Sequence, residues 1–87
     1  MRVHKITLVD SAYHIDLDHI QMVCPPEDGR DGYGFYVWLA FRDKPIFITT
    51  DSYQYAAVIR TSWIDKAFAE LYLAWSGKIY EQDTAST

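Results

Sequence analysis

Phe35-Tyr36-Val37-Trp38-Leu39-Ala40-Phe41-Arg42 is the stretch that decides the fold. Side chains along a strand point alternately to its two faces. This run therefore sets Phe35, Val37, Leu39 and Phe41 on one side and Tyr36, Trp38, Ala40 and Arg42 on the other. Downstream, Asp43-Lys44-Pro45 has the chemistry of a turn, and Ile46-Phe47-Ile48-Thr49 reads as the antiparallel partner. Together the two strands offer an apolar face (Phe35, Val37, Leu39, Phe41, Ile46 and Ile48) and an aromatic one (Tyr36, Trp38 and Phe47). The apolar face is expected to take a helix. The aromatic face needs a second helix or a partner to cover it.

Upstream of this pair the same period continues. Ile6 and Leu8 share a face in the segment 5–9, Asp10-Ser11 makes a turn, and Tyr13, Ile15 and Leu17 then alternate with His14 and Asp16. A short turn at 16–19 leads to Ile20, Met22 and Cys24, again alternating, so a hairpin followed by a third strand is expected. Segment 25–34 carries two prolines, three glycines and four charges, and it reads as a long mobile loop.

Downstream lies the helical region. Asp51 with Gln54 resembles a capping box, and Gly77 supplies a stop after Ser76. The apolar stripe changes face partway: Tyr55, Val58 and Ile59 cluster on one side, and Ile64, Phe68, Leu71 and Trp75 lie roughly opposite. One straight helix cannot aim both stripes at one core. A break at Thr61-Ser62, where Ser62 and Asp65 offer a second capping box, is expected, with the first stripe on the sheet and the second helix folding back. The alternative is a continuous helix that projects its second stripe toward a twin or a partner. The fold class is α+β: a small antiparallel sheet of about four or five strands packed by a C-terminal bent helix or two short helices. Residues 1–80 form one domain, and 81–87 form a polar, frayed tail.

Composition sets the outer limits. At 87 residues there is room for one hydrophobic core, and with 49% apolar residues the chain has the material for it. Twelve acidic residues against eight basic ones give a net charge of −4, which disfavours binding to nucleic acid or an anionic membrane. No stretch has the length of a secretory signal or a bilayer span. The lone Cys24 cannot form a disulfide within the chain, so a reducing, cytoplasmic setting is expected. The initial Met1 and the polar tail are those expected of a complete small reading frame.

Catalytic signatures are sparse. His14, His19 and Cys24, with Asp16 or Asp18, contain metal-binding residue types, but they lack the close paired spacings of a zinc site. Asp16-Leu17-Asp18 beside His19 is the nearest thing to a metal-dependent catalytic cluster, and Asp at a strand end more often makes a turn. The segment 28–32 looks like a calcium loop but places Arg30 where a ligand is needed. Ser11, Ser52, Ser62 and Cys24 stand in no nucleophile motif. No catalytic residue, metal or cofactor is therefore assigned, and the chain is not expected to be an enzyme.

The remaining signal is aromatic. Seven Tyr, four Phe and three Trp exceed what so small a core can bury, and exposed Tyr and Trp favour protein interfaces. Tyr33, Tyr36, Trp38, Phe47, Phe68, Leu71, Tyr72 and Trp75 are the candidate interface residues. The leading expectation is a non-catalytic protein-binding module. Its size and charge fit a small acidic inhibitor or adaptor acting on a larger assembly, such as a phage- or plasmid-encoded anti-defence protein of the anti-CRISPR kind. Two alternatives come from other classes: a homodimeric structural or regulatory protein, and a small metal-dependent enzyme using His14, Asp16, Asp18 and His19.

Overall fold

The computed structural model describes residues 2–50 and 54–77, and within them strands precede a single helix. Strands β1 (Val3–Thr7) and β2 (Ala12–Asp16) form an antiparallel hairpin, followed by a 3-10 turn at Leu17–His19. Then come β3 (Ile20–Val23), β4 (Glu27–Gly29), β5 (Gly32–Leu39) and β6 (Ile46–Thr49), which make a four-stranded antiparallel sheet. Helix α1 (Ala57–Ser76) packs on one side of it. The α+β class and the antiparallel sheet agree with the sequence reading. No described helix is long and apolar enough to cross a membrane.

Strand β5 organises the sheet. Gly34 pairs with both Glu27 and Thr49, and Val37 pairs with both Val23 and Ile46. Since a strand has two edges, β3 and β4 must share one edge of β5 and β6 must take the other. β3 and β4 are thus two halves of one edge strand. The interruption is Pro25-Pro26, which lack the N–H groups a ladder needs. Pairing runs to the Cys24 N–H, which donates to the Tyr36 carbonyl at 2.9 Å, and resumes at Glu27 opposite Gly34.

This corrects the expected loop over 25–34. From Glu27 onward it is a hairpin, β4–β5, turned by Arg30-Asp31 and closed by Gly32 at φ 104°. Only glycine adopts that backbone without strain, so the glycines that read as flexibility set a tight turn instead.

Two further expectations about strand faces change. Gln21 is an extra residue between the pairs Ile20–Leu39 and Met22–Trp38, and such a bulge slips the period-two phase. Met22 therefore lies on the outer face beside Trp38, and Val23 takes the buried position. Strand β5 ends at Leu39 rather than Arg42, which leaves Phe41 64% exposed with its ring 5.3 Å from that of His19.

The helix holds the largest correction. It runs unbroken through Thr61-Ser62, where both hydroxyls turn back on the helix: Thr61 Oγ1 donates to the Val58 carbonyl and Ser62 Oγ to the Ile59 carbonyl. A Ser62 spent in this way caps nothing. The stripe that meets the sheet is the second one, Ile64, Ala67, Phe68 and Leu71, at the i, i+3, i+4, i+7 spacing of one helix face. Val58 and Ile59 are exposed, and Tyr55 stands edge-on to Trp63 with ring centroids 5.0 Å apart. The helix starts at Ala57, with Ala56 as its N-cap residue and no side-chain cap, so it does not begin at the expected capping box. Asp51 of that box and the tail 81–87 lie outside the described residues. Gly77 stops the helix as expected, at φ 74°, its N–H donating to the Leu73 carbonyl at 2.8 Å.

The core lies between α1 and the inner faces of both sheets. Ile6, Leu8 and Ile15 come from the hairpin segment, Phe35, Val37, Leu39 and Ile48 from the larger sheet, and Ile64, Phe68 and Leu71 from α1. The Phe35 and Phe68 rings meet edge-on at 5.4 Å. Burial of each large side chain stabilises by about 1.5–3 kcal/mol. The shortest dimension of the molecule is 21 Å, the depth of one sheet and one helix.

Candidate functional site: the aromatic outer face

Strand register assembles the site. Tyr36 pairs with Phe47 across β5–β6, and Trp38 pairs with Met22 across β5–β3. By alternation all four side chains stand on the face away from α1. The Tyr36 and Phe47 rings are 4.7 Å apart and tilted by 38°. Gly34 belongs to the same face, and the Phe47 ring lies across it. A Cβ there would come within 2.8 Å of the ring and would strike the Ile48 carbonyl oxygen, so only glycine admits this close approach.

These rings are only half-buried, Met22 is 49% exposed, and none of the four packs against the hydrophobic core. Phe35 and Val37, next to them in the chain, are fully buried. Helix α1 lies on the other side, and the β1–β2 hairpin likewise gives Ile6, Leu8 and Ile15 to the core. Among the described residues, then, β5 separates a packed core from an aromatic surface with no layer over it.

The other interface candidates are placed differently. Phe68 and Leu71 are core residues, so their side chains are not on the surface. Tyr72 and Trp75 are half-buried along the flank of α1, with ring centroids 5.9 Å apart, and both pack against the core. Tyr33 reaches from β5 to the helix: its hydroxyl donates to Asp65 Oδ1 at 2.5 Å. Loss of hydration and the neighbouring carboxylate push the Tyr33 hydroxyl up to about 12. Tyr33 thus acts as a clasp between sheet and helix. Met22 was missed from sequence because the bulge at Gln21 that turns it outward has no signature in the local residues.

The histidine–aspartate cluster is a structural turn. Asp16 Oδ1 accepts from the Asp18 N–H at 3.0 Å, capping the 3-10 turn, and Asp16 Oδ2 lies 2.6 Å from His19 Nδ1. Arg2 donates from Nε to Asp18 Oδ1 at 2.9 Å and from its backbone N–H to Oδ2 at 3.2 Å. These bonds hold the Asp18 carboxyl below its ordinary range. His14 projects from the exposed side of the hairpin opposite Lys5. Among the described residues no group of three or more His, Cys, Asp or Glu side chains is gathered so as to hold a metal ion.

Scans against protein-family models, curated proteins and solved structures find no match to this chain.

Proposed function

We propose that the chain is a non-catalytic protein-binding module, and that the outer sheet face formed by Met22, Tyr36, Trp38 and Phe47 is its docking surface. One observation carries this reading: these side chains form an apolar surface that packs neither on the core nor under any described element. Aromatic side chains are costly to leave in water and are enriched at interface centres, where a few rings carry most of the affinity. A small acidic inhibitor or adaptor bound to a larger assembly is the role this surface fits best.

The competing readings have less behind them. The helical stripe assigned to a twin, Ile64, Phe68 and Leu71, is occupied within the chain's own core. Asp16, Asp18 and His19 are engaged in capping and pairing, His14 stands apart on the exposed side of the hairpin, and among the described residues the set is not gathered as ligands.

The test is a photo-crosslinking amino acid at position 38, compared with the same probe at Ala69 on the exposed side of α1. In a lysate of the native host, position 38 should yield a discrete adduct that position 69 does not. The adduct protein should be retained by the wild-type chain and released by Trp38→Ala. Equal adducts at both positions, or unchanged retention by Trp38→Ala, would falsify the assignment.

A further inference from the structure

From the other sheet we infer that the groove between the free edge of β1 and helix α1 binds an extended, acidic segment of a partner protein as an added strand.

The edge is chemically open. The Leu8 N–H donates to the Ser11 carbonyl and the Leu17 N–H donates to the Arg2 carbonyl, both at 2.8 Å. Even-numbered positions of this strand therefore turn their backbone toward β2. Antiparallel pairing alternates, so Val3, Lys5 and Thr7 point their N–H and C=O groups away from it. Among the described residues nothing pairs with them, since β1 has β2 as its one neighbour. A strand edge of this kind is a template for another strand.

Its surroundings make it a groove. Helix α1 forms the opposite wall with Trp63, Lys66, Ala67 and Glu70, and the space between is about 390 Å³. Ile6 and Leu8, whose side chains enter the core, form its floor. Edge strand facing helix is the geometry in which backbone bonds give affinity and alternate side chains give specificity.

Charge selects the occupant. Lys5 and Lys66 flank the groove against Glu70 alone, in a chain whose net charge is −4. Among the described residues neither lysine is within ion-pair distance of a carboxylate. A second copy is disfavoured, because antiparallel self-pairing centred on Lys5 sets Lys5 against its twin. A lysine on an edge strand deters such pairing, yet attracts a strand with a carboxylate opposite it. The incoming segment should alternate acidic residues on the Lys5 side with apolar residues on the side of Ile6 and Trp63.

This inference is independent of the aromatic face, and its test distinguishes the two. The ¹⁵N-labelled full chain is titrated with an octapeptide of alternating valine and glutamate, followed by NMR. The Lys5 and Thr7 amides and the Trp63 indole should shift, while Trp38 stays still. The valine–lysine octapeptide should bind roughly tenfold more weakly, and Lys5→Glu with Lys66→Glu should reverse that preference. Thr7→Pro removes an outward N–H without touching the β2 ladder, so it should keep the fold and lose binding. If Thr7→Pro fails to fold, the acidic peptide N-methylated at alternate amides makes the same test on the wild-type chain and should not bind. The inference is overturned by an absence of shifts at millimolar peptide, by equal binding of the two peptides, by binding that survives both Thr7→Pro and N-methylation, or by shifts confined to the Trp38 face. Self-association through β1 would also overturn it.

Discussion

The two faces of β5 differ in what covers them. Phe35, Val37 and Leu39 are buried under α1, while Tyr36 and Trp38, interleaved with them, stand in a half-exposed aromatic layer. Backbone, strand and neighbours are the same for both sets, so the difference lies in the side chains and in what covers them. The inner set reports on folding. Under the proposed docking role, changes in the outer set should harm the fold less than changes in the inner set.

The severest way to break this contrast is on the helix that makes the inner face an interior. Phe68→Glu combined with Leu71→Glu places two carboxylates in a sealed core, and the chain should lose its cooperative melting transition. A variant that stays folded would mean that α1 does not close the core. Phe35→Ala is milder and should cost about 3–5 kcal/mol in denaturant unfolding. Gly34→Ala probes the junction of the two faces: the new Cβ must displace the Ile48 carbonyl or the Phe47 ring, at about 1–3 kcal/mol. Trp38→Ala should cost only about 1 kcal/mol of stability while lowering partner affinity by about 2 kcal/mol or more. A stability loss equal to that of Phe35→Ala would erase the distinction between the faces.

The smallest effect concerns the clasp. The Tyr33 hydroxyl ionises in the folded chain at about 12, above the ordinary tyrosine value of 10.0, because it is desolvated and hydrogen-bonded to Asp65. Its contribution to stability is complete below pH 10 and falls away as the pH rises toward 12. Tyr33→Phe should flatten that decline in thermal melts taken across this range. An unchanged slope would show that the contact does not link sheet to helix.

Much of the sheet was legible because alternation is a local signal. The runs at 35–39 and 46–48 state their own faces, and each inner residue so read is buried or packed on the core. What escaped was set by pairing and packing that residue type alone does not state. Segment 25–34 has the composition of a loop, and only the length of β5 beside it shows that Glu27–Gly29 has a ladder to join. In the helix, periodicity revealed two stripes but could not choose between them. The choice falls on the second, whose Ile64, Phe68 and Leu71 match a sheet lined by Phe35 and Ile48, while Val58 near the first turn stays 73% exposed. Of the proposed site, Tyr36, Trp38 and Phe47 were readable from strand phase. Met22 was hidden by the bulge, and Phe68 and Leu71 were drawn in by the wrong choice of stripe.

The position of α1 after every described strand has a consequence for the protein as it is made. The strands leave the ribosome before the helix does, so until α1 has emerged Phe35, Val37 and Ile48 lack the lid that buries them. A nascent chain stalled at that stage should attract general chaperones through its inner face, and release of the helix should end the attachment. Synthesis order thus makes the docking of α1 the step at which the inner sheet face becomes an interior.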